Sequence, residues 1–112
     1  MNILFFGGGN IAQAIITGLI SSDYEKELIQ FIDRNKANKK TLKGLGIKES
    51  NSLQVGDNFD LIILCVKPKD AVSAVEEISS AVKNPKILSL VAGITSKRYL
   101  TISENIRLIR GM

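Results

Sequence analysis

Six residues limit most strongly what this chain can fold into. Gly7-Gly8-Gly9-Asn10-Ile11-Ala12 follow directly on the unbroken apolar run Ile3-Leu4-Phe5-Phe6, and an amphipathic stretch begins at once behind them. Strand, glycine-rich turn and helix in that order make G-x-G-x-x-A a dinucleotide-binding signature rather than a plain tight connection. Gly7 permits the tight turn, Gly9 has no Cβ to hold a pyrophosphate off the backbone, and Ala12 lets the helix pack close on the strand. The helix start then offers unpaired N–H groups and the positive end of its dipole to the phosphates. No charged side chain occurs from Met1 to Ser22, so no acid there repels them.

Beyond the turn, short apolar runs alternate with amphipathic stretches, the pattern of βαβ units around a parallel sheet. Strands are expected at Ile3–Phe6, Leu28–Ile32, near Ile47, and at Leu61–Val66, Ile87–Val91 and Ile106–Ile109. Unbroken apolar runs suit parallel strands, which are covered on both faces. Helices are expected over Asn10–Ser22, Asn35–Lys43 and Lys69–Lys83, with a short last one over Lys97–Thr101 capped by Thr95 or Ser96. In the first, the rows Ile11, Ile15, Leu19 and Ala12, Ile16, Ile20 make a wide apolar stripe. In the third, Ala71, Ala74, Val75, Ile78 and Val82 form one face, and Ser73, Glu76, Glu77 and Ser80 the other. Gly44 is expected to end the second helix and Asn84-Pro85 the third. At 112 residues and 45% hydrophobic content the chain makes one domain. The expected fold is α/β, a doubly wound, mostly parallel six-stranded Rossmann-type sheet over residues 1–112.

Fifteen Lys and Arg against eleven Asp and Glu leave a net charge of +4. Five of the basic residues, Arg34, Lys36, Lys39, Lys40 and Lys43, lie within ten residues that contain no acid. The rest of the chain holds ten basic against eleven acidic residues. Local basicity fits a local anion better than a nucleic-acid track, and no aromatic-studded basic face accompanies it. No apolar run approaches the ~18 residues of a membrane span. One cysteine cannot make a disulfide framework, and the absence of His removes the commonest general base and metal ligand. The opening residues lack the basic flank and cleavage signal of a secretory peptide, so a cytoplasmic location is expected. Nucleic acid, membrane and metal are not expected partners.

Asp33 ends the second strand, twenty-one residues after Ala12, where an acid typically bonds the adenosine ribose hydroxyls. Arg34 follows, and its guanidinium can clamp a 2′-phosphate or stack on adenine. The acid favours NAD while the arginine and the basic stretch favour NADP. NADPH is the expected cofactor, with NADH left open. For Lys36, Lys39, Lys40 and Lys43 a solvated helix face is expected. Pro68 suits both a ligand edge and the first position of a helix. Lys67 is expected to set backbone placement and the helix start, not to act as an acid. Cys65, inside the most hydrophobic strand, reads as a small core residue.

Four segments occur in an order and spacing that resemble the N-terminal domain of the pyrroline-5-carboxylate reductase family. They are Phe6 through Ala12, Val66-Lys67-Pro68, Ser89-Leu90-Val91-Ala92-Gly93-Ile94-Thr95, and Ile109-Arg110-Gly111-Met112. The resemblance covers essentially the whole chain. It implies NAD(P)H-dependent reduction of 1-pyrroline-5-carboxylate to L-proline, a hydride passing from the reduced nicotinamide to the imine carbon. Carried over by motif, Phe6, Gly7, Gly8, Gly9, Asn10 and Ile11 line the pyrophosphate, with Ala12 behind them. Asp33 and Arg34 face the adenosine end, and Val66, Lys67, Pro68, Leu90, Val91 and Ala92 lie beside the nicotinamide half. Asn51 matches a cofactor-contacting Asn of some members once one residue is inserted before the fourth strand. No catalytic residue is assigned in this chain, and none is needed if the imine arrives protonated.

In the family, the terminal R-x-M motif runs on into Pro-Asn-Thr-Pro and a mostly helical domain, which supplies the dimer interface and most of the substrate pocket. This sequence stops at Met112, and Gly111 stands where Ala or Cys is usual. The expectation is therefore a cofactor-binding half with little or no turnover of its own. Its parent would be a homo-oligomer, meeting the small-molecule substrate only through that further domain. The alternatives are a stand-alone dinucleotide-binding or regulatory module, or a related imine or β-hydroxyacid oxidoreductase.

Overall fold

The computed structural model of the chain describes residues 1–50, 59–82 and 85–91, and the backbone of 107–110. In chain order the elements are β1 (Ile3–Phe6), α1 (Asn10–Ser21), β2 (Ile29–Ile32), α2 (Lys36–Gly44), β3 (Lys48–Glu49), β4 (Leu61–Leu64), α3 (Ala71–Ala81), β5 (Lys86–Ser89) and β6 (Arg107–Arg110). Short 3₁₀ turns at Lys26–Leu28 and Pro68–Asp70 lead into β2 and α3. The strands form one sheet in the order β3-β2-β1-β4-β5-β6, and every pairing is parallel. Phe5 of β1 stands opposite Phe31 on one side and Ile63 on the other.

Side-chain alternation along β1 explains why this strand contains no polar residue. Ile3 and Phe5 face a core shared with Ala12 and Ile16 of α1, Leu42 of α2, and Ile29, Phe31 and Ile63 of the sheet. Leu4 and Phe6 face a second core, where Ala71, Ala74, Val75 and Ile78 of α3 meet Ile62, Leu64 and Ile87. Burying one such Phe or Ile side chain contributes roughly 1.5–3 kcal/mol. The doubly wound six-stranded α/β arrangement read from the sequence is the one observed.

Element boundaries depart from expectation in instructive places. Gly44 does not end α2; it lies in the last turn, and the chain reverses at Gly46, with φ +86°. Ile47 N–H donates to the Leu42 carbonyl at 3.1 Å and Gly46 N–H to that of Lys43 at 3.0 Å, which is a Schellman ending. Its hydrophobic component is the pair Leu42 and Ile47, both buried in the core beneath α2. α3 stops at Ala81, before Asn84-Pro85, because Val82 turns extended and carries its side chain into the core. β4 leaves the ladder at Leu64 rather than Val66, and β5 at Ser89 rather than Val91. The stripe of α1 also frays at its start, where Ile11 is 48% exposed. The helix expected over Lys97–Thr101 lies outside the described residues. Among the described residues no helix is long and apolar enough to cross a membrane.

Candidate nucleotide-binding site

β1 and β4 are neighbours whose onward connections run to opposite faces of the sheet, so the crevice beyond their carboxyl ends is a topological switch point. The glycine turn occupies it. Gly7 has φ +105°, and a Cβ there would stand 2.8 Å from the Cys65 carbonyl carbon and oxygen and 2.9 Å from the Val66 nitrogen. Real Cβ atoms do not come that close to backbone, so only glycine lets the chain cross the end of β4. Gly7 N–H donates to the Ile32 carbonyl at 2.8 Å and Cys65 N–H to the Phe6 carbonyl at 2.9 Å, tying the turn to both neighbouring strands.

Two residues further on, the situation inverts. Among the described residues nothing lies within 4 Å of a Cβ placed at Gly9, so they leave the space over the start of α1 open. Gly9 is the N-cap of α1, no side chain among the described residues caps the helix, and the first turn contains no acid. The leading N–H groups of a helix have no intrahelical partner. Open space, uncapped donors and a positive dipole end are what an anionic pyrophosphate requires. Ala12 is fully buried beneath the turn, as its place in the motif demands.

Asp33 closes β2, and its carboxylate is committed within the chain. Its Oδ2 accepts from Gly8 N–H at 2.7 Å and from Asn38 Nδ2 at 2.9 Å, and its Oδ1 accepts from Asn35 N–H at 2.8 Å. Gln13 of α1 completes a ring: its Nε2 donates to the Gly8 carbonyl at 2.9 Å and to Asn38 Oδ1 at 3.4 Å. Asn35 caps α2 by accepting from Asn38 N–H at 3.0 Å. Sequence reasoning missed Gln13, Asn35 and Asn38. An Asn directly before a helix was a usable signal for the cap, whereas nothing local announces a bond across twenty-five residues.

A cavity of about 200 Å³ opens beside the turn, lined by Phe6, Gly7, Ile32, Asp33, Arg34, Val66, Asp70, Ser73 and Ala74. It is smaller than the roughly 300–1,000 Å³ of a whole ligand pocket, and so suits one portion of a long ligand. Its apolar floor comes from Phe6, Ile32, Val66 and Ala74, and its rim carries Arg34, Asp33, Asp70 and Ser73. Asp70 and Ser73 were not foreseen at this edge; they reach it because Pro68 starts the 3₁₀ turn that feeds α3.

The structure therefore brings Phe6, Gly7, Asp33, Arg34 and Val66 to one cavity, with Gly8, Gly9, Asn10 and Ile11 alongside at the start of α1. Lys67 and Pro68 are exposed and do not line it; the Lys67 carbonyl accepts from Asp70 N–H at 2.9 Å, which shapes the start of α3. Leu90 and Val91 face the two cores rather than the cavity. Asn51 and Ala92 lie outside the described residues. The lysines lie on a solvent-facing side of α2 as expected, and two of them, Lys39 and Lys43, pair there with Glu49 of β3 at 2.9 and 3.0 Å. Hydrogen bonds from Lys39 and then Lys43 hold the Glu49 carboxyl below its usual range. Cys65 packs half-buried against the Phe5 core, and burial pushes its thiol up to about 12, far from a reactive nucleophile.

Known proteins resemble this chain in sequence and in fold. Pyrroline-5-carboxylate reductase of Haemophilus influenzae is 31% identical over 96% of this chain and 40% of its own length. That of Corynebacterium melassecola is 32% identical over 83% of this chain and 37% of its own. The chain thus spans about two fifths of the curated relatives it matches. A solved pyrroline-5-carboxylate reductase from Coxiella burnetii superposes with a TM-score of 0.88 at 28% identity, covering 99% of this chain and 43% of that one. The Plasmodium falciparum pyrroline carboxylate reductase, solved with NADP bound, has the same fold, with a TM-score of 0.75 at 19% identity over 91% of this chain and 37% of that one. Residues 2–93 match the family described as NADP oxidoreductase, coenzyme F420-dependent, and with most of its length and its glycine turn inside that match the chain belongs to this family.

Proposed function

We propose that this chain is the cofactor-holding part of an NAD(P)H-dependent reductase that converts 1-pyrroline-5-carboxylate to L-proline, with NADPH as the preferred nucleotide. The observation that carries the reading is the contrast within the turn. The Gly7 position admits no side chain, whereas a side chain at Gly9 would project into open space over an uncapped helix start. The residues present fit a dinucleotide. The backbone from Gly7 to Ala12 would hold its pyrophosphate, and Arg34 at the cavity rim would take a 2′-phosphate. Val66 of the cavity lining would flank its nicotinamide half, with the main chain of Lys67, Pro68, Leu90 and Val91, beyond the ends of β4 and β5, beside it. When bound, the reduced nicotinamide supplies the hydride. The likeness to pyrroline-5-carboxylate reductases at about a third identity supports this substrate over other imines.

Calorimetric titration of NADPH and NADH into the wild type and Arg34→Ala tests the nucleotide part. Loss of the guanidinium should weaken NADPH by about tenfold or more and leave NADH within about twofold. Equal losses for the two would refute a 2′-phosphate contact. Consumption of NADPH by the full natural polypeptide on adding 1-pyrroline-5-carboxylate, with proline formed mole for mole, tests the substrate. Binding without that turnover would overturn the substrate assignment alone.

A further inference from the structure

The nucleotide preference of such a site turns on the acid at the end of β2. A carboxylate standing open there accepts the ribose hydroxyls and favours an unphosphorylated nucleotide. In this chain Asp33 reaches the same cavity with its oxygens already engaged by Gly8 N–H, Asn38 Nδ2 and Asn35 N–H, at 2.7, 2.9 and 2.8 Å. A carboxylate offers about four acceptor positions, so one remains, too few to grip two hydroxyls. Two of the three donors are main-chain groups that no ordinary substitution removes. Among the described residues Asn38 is the one side-chain donor. It is braced in turn, by its own N–H on Asn35 Oδ1 at 3.0 Å and by Gln13 Nε2, which faces its Oδ1 at 3.4 Å.

We infer that Asn38 determines nucleotide specificity by holding the Asp33 carboxylate against the glycine turn and away from the ribose, so that the site selects the 2′-phosphorylated nucleotide. The inference rests on the reading that this crevice takes a dinucleotide. Asn38 is a positioning residue: it acts through Asp33 and needs no contact with the ligand. Three donors on one carboxylate also disperse its charge, which lowers the repulsion felt by a phosphate beside Arg34.

The test titrates NADPH, NADH and 2′-deoxy-NADH into the wild type, Asn38→Ala and Asn38→Leu by calorimetry, with thermal unfolding to confirm that each variant is folded. Wild type should bind NADH and its 2′-deoxy analogue within about twofold of each other, because no hydroxyl bond to the carboxylate is made. In the Asn38 variants NADH should gain about fivefold or more relative to NADPH, and the 2′-hydroxyl should become worth a similar factor. A purely structural loosening of the turn would weaken all three ligands together and leave these ratios unchanged, and that result overturns the inference. So does a wild type that already prefers NADH over 2′-deoxy-NADH by about tenfold, a comparison that needs no variant. If the wild type binds none of the three, the dinucleotide reading fails and this inference with it. Binding with unaltered ratios removes only the role of Asn38.

Discussion

Gly7 and Gly9 are two residues apart, yet their surroundings are opposite, and substituting each measures the difference. Alanine at Gly7 must adopt φ +105° and place its Cβ 2.8 Å from the Cys65 carbonyl. The backbone strain amounts to about 1–3 kcal/mol. Displacing the contact between the turn and β4 adds about 1–3 kcal/mol more. The expected loss is therefore roughly 2–6 kcal/mol from a total of about 6–17 kcal/mol for a chain of 112 residues. At a urea slope of about 1–3 kcal/mol per molar, that moves the unfolding midpoint by about 0.7 M or more. Gly9 has an ordinary φ of −76° and open space where its Cβ would go. Valine there should cost no more than about 1 kcal/mol, the scale of an N-cap preference, while abolishing NADPH binding. Urea titration of both variants, paired with calorimetric titration of NADPH, separates stability from binding. Gly9→Val as unstable as Gly7→Ala, or with wild-type affinity, would refute the division. Gly7→Ala within about 0.5 kcal/mol of wild type would refute the steric argument.

Two predictions concern pH. Burial raises the Cys65 thiol from 9.0 to about 12, so the stability it contributes is complete below about pH 9 and is lost as pH rises toward 12. Unfolding at pH 8, 10 and 11 should show an alkaline loss that Cys65→Ala reduces, reaching a few kcal/mol at the upper end. Lys39 and Lys43 depress the Glu49 carboxyl, so its contribution is present above the ordinary value of 4.5 and is lost as pH falls through the folded one. Glu49→Gln should flatten the acid limb of the stability curve, and about 1 M salt should do the same to wild type, since the ion pairs sit at the surface. A salt-independent acid limb would place the cause elsewhere.

What the chain discloses in one dimension is chiefly what its apolar residues do. The run Ile3 to Phe6 had to be covered on both faces, and the stripe from Ala71 to Val82 had to lie on a sheet; both statements hold. Gly46 shows where such reading stops. With Gly44 and Gly46 two residues apart, the choice of helix end depended on Ile47, which must be buried beside Leu42, and burial is a tertiary fact. The polar part of the site was least readable. The place of Asp33 after a strand predicts a ligand contact, but not its partners within the chain: a main-chain amide twenty-five residues earlier, another two residues on, and an amide side chain in the next helix. Polar side chains satisfy themselves with whatever the fold brings near, and no periodicity records the choice.

The place of β1 in the sheet also bears on how the chain is made. Its neighbours are β2, which follows after one helix, and β4, which begins at Leu61. At ~5–20 residues per second of synthesis, Leu61 is added about 3–11 s after Phe6. During that interval α1 and α2 can already shelter Ile3 and Phe5, whereas Leu4 and Phe6 await α3, and one edge of β1 stands unpaired. A nascent chain that pauses before β4 therefore presents an apolar face and an open strand edge together, the combination that recruits holding chaperones or other nascent chains. The strand that most needs cover on both sides depends for half of it on residues translated long after its own.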